Sequence, residues 1–129
     1  MKSAAIAKLD KCVSQFIRSS KPRCVTCGAK ERLCTGHLLH RRNLATRFDV
    51  WEGGNCHTQC FSCNLLHETD DNLFKNWYIR EYGLDMFMEL RMRHNKIMKI
   101  KAFQIEQLHR LLQSGDVESY KTLLLSLCQ

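Results

Sequence analysis

Two Cys-x-x-Cys pairs, Cys24/Cys27 and Cys60/Cys63, constrain this chain more than any other feature. Each pair offers two thiolates from one tight turn, and four such thiolates are what tetrahedral zinc binds. Residues 28–59 separate the pairs, more than a zinc ribbon uses, so a structural zinc ion would clamp a substantial loop rather than a hairpin. A redox dithiol or coincidence is the rival explanation. Cys12, Cys34, Cys56 and Cys128 fit no such spacing and read as packing residues. The opening run MKSAAIAKLDKCVSQFIRSS is charged throughout and lacks the apolar centre of a secretory signal. No apolar run approaches the ~20 residues needed to cross a bilayer, so no membrane partner is expected. A reducing, cytoplasmic setting is expected instead, which favours thiolates and metal over disulfides.

Charge is distributed unevenly. Residues 1–50 hold eleven basic against three acidic side chains, and the remainder holds nine against ten, within a net +7. A basic half joined to a near-neutral half points to a polyanionic partner on one side of the molecule. A chain of 129 residues suits one domain whose modest core a bound metal would help to stabilise.

Hydrophobic periodicity gives the element order. Ala5, Leu9, Cys12, Phe16 and Ile17 recur at helical spacing, predicting an amphipathic helix over 4–18 that ends before Pro22. Residues 22–36 form a knuckle in which Gly28 permits a left-handed turn after Cys27. Residues 33–40 read as a strand able to pair with 55–58, and 41–54 as loop. A helix is expected from Thr58 to about His67, since Cys60, Cys63 and His67 recur at three and four residues. Helices should follow over about 70–82, from Leu84 after the break at Gly83, through 96–113, and over 117–128. The fold class is therefore α+β, mostly α. It divides into a basic N-terminal helix (1–21), a zinc-braced core (22–70) and a helical extension (71–129). Leu108, Leu111, Leu112 and Leu123 to Leu125 exceed what a small module needs to cover itself, which argues for a homodimer through that extension.

His37 shortly after the first knuckle, Asn55 five residues before Cys60, and Asn64 directly after Cys63 together resemble the HNH, or His-Me finger, nuclease motif over about residues 24–68. A narrower likeness covers roughly residues 9–84. TGHLLHRRNLATRFD, the pair Arg47-Phe48, and the block Asn55, His57, Gln59, Cys60, Cys63, Asn64 are similar to the phage NinG/Rap recombination endonucleases. The resemblance implies a ββα-metal core and a structure-selective endonuclease cutting branched DNA such as Holliday junctions or D-loops. It also implies a phage origin. By the same resemblance His37 is the general base, and Asn55 fixes the loop that presents it. Asn64 is then a ligand to a catalytic Mg2+ or Mn2+.

Elementary chemistry agrees with those roles. Phosphodiester hydrolysis needs an activated water and stabilised charge on the phosphate and the leaving oxygen. A neutral imidazole can take the proton, and a divalent cation can serve as Lewis acid. An amide oxygen such as that of Asn64 is hard enough for magnesium. The second ligand is open among His67, Glu68, His40 and His57, with His67 preferred. Gly36 stands where many relatives carry a ligand before the base. Arg41, Arg42 and Arg47 are candidate phosphate contacts. His94 and His109 read as surface residues. Two other readings are a zinc-dependent DNA-binding module without catalysis and a non-specific or homing-type HNH nuclease.

Overall fold

The computed structural model describes residues 1–128, so the last residue of the 71–129 extension lies outside the described residues. Helix α1 (Lys2–Ser20) buries Ala5, Leu9, Val13 and Ile17 in one stripe at every fourth position. It stops because Pro22 disfavours a helical Lys21, which is extended at φ −133°, ψ 92°. Strands β1 (Leu33–His37) and β2 (Cys56–Cys60) pair antiparallel, from Leu33 opposite Cys60 to His37 opposite Cys56. Within the segment joining them a single turn of helix, α2 (Leu44–Arg47), interrupts what reads as loop.

Helix α3 (Phe61–His67) begins later than the spacing predicts. Thr58, Gln59 and Cys60 are spent on strand pairing, and the Cys60 Sγ caps the new helix by accepting from the Cys63 amide at 3.4 Å. Helices α4 (Asn72–Tyr82) and α5 (Leu84–His94) meet at Gly83, whose φ of +93° only glycine adopts without strain.

The expected continuous helix over 96–113 is also corrected. Residues 95–101 leave the helix, burying Met98 and Ile100, and Met98 forms an isolated antiparallel bridge with Cys128. Helix α6 (Ala102–Gln113) starts where the Gln104 Oε1 accepts from the Lys101 amide at 2.9 Å. Helix α7 (Val117–Ser126) is capped by Asp116, which accepts from Ser119 N, and ends before Cys128.

The architecture is α+β and mostly helical, with one two-stranded sheet. Two apolar clusters hold it together. One joins α1, α6 and α7 to Ala45, Phe48, Val50 and Cys56 of the core, and the other gathers Leu38 with Phe74, Trp77, Tyr78, Phe87 and Leu90. The segments 1–21, 22–70 and 71–129 thus interleave their side chains. Leu9, Leu108 and Leu124 are wholly buried, each contributing about 2 kcal/mol. Leu108, Leu112 and Leu124 are thus taken up by the cluster that holds α1, and of the leucines read as surplus Leu111 and Leu123 are half-buried and Leu125 is exposed. Exposed apolar side chains gather instead on α5, at Leu84, Met86, Met88 and Met92. Among the described residues no helix is long and apolar enough to cross a membrane.

Candidate metal centre and histidine recess

The four cysteines of the paired motifs converge. Their Sγ atoms all lie within 4.8 Å of one another, with Cys24 and Cys60 buried and Cys27 exposed. The Cys27 and Cys60 sulfurs are 3.7 Å apart. A tetrahedral zinc with Zn–S near 2.3 Å needs an edge of about 3.8 Å. A disulfide would need about 2.05 Å. Gly28, at φ +81°, turns the knuckle so that its amide donates to the Cys24 carbonyl at 2.8 Å. The Val25 amide donates to Thr58 O, tying the knuckle to β2. Burial foremost, then the neighbouring thiols, pushes Cys63 up to about 12, against a lowering bond from Thr26. A cation is what allows four thiolates to share this space, and a structural metal such as zinc fits it.

His37 ends β1. Its Nε2 lies 3.0 Å from the Arg47 carbonyl, which only accepts, so Nε2 carries the proton and Nδ1 keeps a lone pair. Burial lowers the ring to about 4, and the bond to Arg47 O only partly offsets this. The imidazole is therefore neutral at cellular pH. It borders a recess of about 260 Å³ lined also by Asp10, Lys11, Ser14, Thr35 and Arg41. The wall opposite the strand is α1: the Thr35 hydroxyl reaches Ser14 O at 3.2 Å, and His37 shares that face two residues on.

Asn55 is fully buried between the strands' ends. Its Oδ1 accepts from Leu39 N at 2.7 Å and its Nδ2 donates to Leu39 O at 2.9 Å. Its own amide donates to Asp49 at 2.9 Å. The side chain therefore pins the chain two residues after His37 to the start of β2.

Helix α3 lies on the other face. Asn64 adjoins the Cys34 thiol, and Cys34 alternates with Thr35 along β1. His67 donates from Nε2 to Leu38 O at 2.8 Å and leaves a buried Nδ1 without a partner. His37 and Asn64 thus stand on opposite faces of the sheet, and α3 reaches the end of β1 through the bond from His67 to Leu38 O. Among the described residues, the four cysteines are the one group of three or more His, Cys, Asp or Glu side chains placed to hold a metal.

The arginines divide. Arg41 and Arg42 are exposed, Arg41 with its Nη2 3.7 Å from Asp10 Oδ2, whereas Arg47 is paired bidentately with Asp10, Nε to Oδ1 at 2.9 Å and Nη2 to Oδ2 at 2.5 Å. Arg47 is a strut and not an open phosphate contact. His57 is buried, its Nε2 donating to Gly54 O and its ring set among Phe74, Trp77, Tyr78 and Tyr82. It packs. His40 is exposed, with Nδ1 accepting from Arg42 N. His94 is no bare surface residue: its Nδ1 meets the Thr46 hydroxyl at 2.8 Å and its carbonyl accepts from Asn43. Sequence reasoning missed Asp10, Lys11 and the buried Asp49–Arg93 ion pair. Long-range partners carry no periodic signal.

A family model described as Bacteriophage Lambda NinG protein matches residues 1–124, well beyond the stretch of likeness visible in the motifs. No curated protein and no solved structure matches the chain. The chain belongs to the NinG family.

Proposed function

We propose that this NinG-family chain is a metal-dependent endonuclease of the HNH type. Its substrates are branched recombination intermediates of DNA, Holliday junctions or D-loops. The observation that carries the reading is His37: a neutral imidazole, aligned by the Arg47 carbonyl, with an unprotonated nitrogen on a recess that also holds Lys11 and Arg41. In the proposed reaction His37 Nδ1 takes a proton from water as the oxygen attacks phosphorus. Lys11 and Arg41 hold the non-bridging oxygens, and the phosphate's own charge beside the ring raises the proton affinity of His37. Asn55 keeps the loop after His37 in register.

The donors on α3 fit a divalent cation, since His67 has an orphaned Nδ1 whose ring is already oriented through Nε2, as metal-ligating histidines are. Asn64 and His67 would hold Mg2+ or Mn2+, which supplies Lewis-acid stabilisation of the leaving oxygen. Symmetric cutting of two strands calls for two copies, and the exposed face of α5 is the surface proposed to join them. A monomeric mass by light scattering at micromolar concentration would sink the dimer.

Gly36 favours a second reading, a zinc-stabilised DNA-binding module without catalysis. Cleavage of a labelled four-way junction beside matched linear duplex, with Mg2+ or Mn2+ and with chelator, separates the two. Metal-dependent cutting of the junction, lost in His37→Ala with binding kept, supports the endonuclease. Binding without cutting under any metal supports the module, and cutting of both DNAs makes it a general nuclease.

A further inference from the structure

Gly36 offers no side chain to a cation, and the space a side chain would take is already filled. A Cβ built there overlaps the Gln59 Oε1 and lies 3.0 Å from its Cδ. Gln59 is 1% exposed, and its Oε1 has no hydrogen-bond partner, while its Nε2 points the other way to the Thr26 hydroxyl at 3.5 Å. An amide oxygen held dry without a donor costs about 1–3 kcal/mol, so something normally meets it.

Gly36 shares its face of β1 with Cys34, the face on which helix α3 lies. That helix is laid along β1 at three points: Phe61 N donates to Arg32 O at 2.9 Å, Asn64 adjoins Cys34, and His67 donates to Leu38 O. Gly36 lies between the last two. The only other buried side-chain atom without a partner among the described residues is His67 Nδ1, an imidazole lone pair on the same helix. A carboxamide oxygen and an imidazole nitrogen left unmatched beside one helix are both atoms that a divalent cation takes as ligands.

We infer that Gln59 is a ligand of the divalent cation, its Oε1 replacing the group that Gly36 lacks and acting with His67 Nδ1 and Asn64. The glycine and the glutamine form a pair: the small residue makes room for the long one reaching across from β2. This rests on the reading above that α3 holds a catalytic metal.

The test is Mn2+ binding to the zinc-loaded full chain, followed by the electron paramagnetic resonance of free Mn2+, with zinc content checked in every variant. Gln59→Leu fills the same space without an oxygen and should weaken Mn2+ binding tenfold or more. Gln59→Glu is isosteric and adds a hard carboxylate, so it should tighten binding at least tenfold. If Gln59→Leu loses its zinc, Gln59→Glu decides alone. Wild-type affinity in Gln59→Glu would overturn the inference and leave the metal on α3 standing, with a bridging water as the partner of Gln59 Oε1. No Mn2+ binding by the wild type would remove the α3 metal altogether, and this ligand with it.

Discussion

Replacing Asn55 tests whether the loop after His37 is held by hydrogen bonds or merely by a filled space. Asn55→Ala removes two bonds, to Leu39 N and Leu39 O, at 2.7 and 2.9 Å. Each is worth about 1 kcal/mol net, and leaving the Leu39 groups unmatched at a partly buried site adds about 1 more, for a total near 3 kcal/mol. For a chain of this length that corresponds to roughly a 10 °C fall in Tm. Asn55→Asp has the same shape but sets an oxygen against the Leu39 carbonyl and a charge beside the buried Asp49 carboxylate. It should cost at least as much at pH 7. Urea unfolding in excess zinc, extrapolated linearly, measures both. Near-native stability for the isosteric Asp variant, with a loss confined to Ala, would mean that Asn55 only fills space, and the hydrogen-bond account would be wrong.

Cys60→Ser should lose zinc and unfold the strand pair and α3 together, because Cys60 ends β2, caps α3 and joins the cysteine cluster; zinc content and circular dichroism follow it. His37 and His57 both titrate at about 4 when folded, chiefly through burial, against an unfolded value near 6.5. The unfolded chain therefore binds more protons between those limits. Their contribution is complete above about pH 6.5 and is lost as pH falls to about 4, on the order of a few kcal/mol for the pair, which unfolding across that range at fixed zinc will register. Lys11→Gln and Arg41→Gln should each weaken DNA binding and lower the slope of log affinity on log salt by about 1, whereas Arg47→Gln should cost stability through Asp10 instead. Binding isotherms at several salt concentrations separate these outcomes.

Features written in local spacing were legible in the sequence. The amphipathic helix α1, the break at Gly83 and the four thiols in two turns each depend on residues close together in the chain, although the buried stripe runs through Val13 where the spacing named Cys12 and Phe16, both half-buried. What depended on distant partners was not. Thr58 to Cys60 satisfy a helical spacing as well as a strand, and only pairing with residues 33–35 decides between them. Residues 95–101 look helical until Met98 finds Cys128. Arg47 reads as a DNA contact until Asp10, on a helix far upstream, takes both of its donors. Leu108, Leu112 and Leu124 look surplus only while α1 is thought of as an appendage.

The packing of α1 against α6 also sets an order on synthesis. The knuckle, both strands and α3 lie within residues 24–67, so the thiol cluster can close while the rest of the chain is still being made. The stripe of α1 finds part of its cover there, in Ala45, Phe48, Val50 and Cys56, and the rest only in Ile105, Leu108 and Leu112. Contacts of that sequence separation form late. Until α6 leaves the ribosome, α1 can rest on the sheet, where Thr35 and Thr58 bond to its Ser14 and Ile17 carbonyls, with the side that α6 covers still exposed. Helix α1 is thus seated in two steps, against the sheet first and under α6 last.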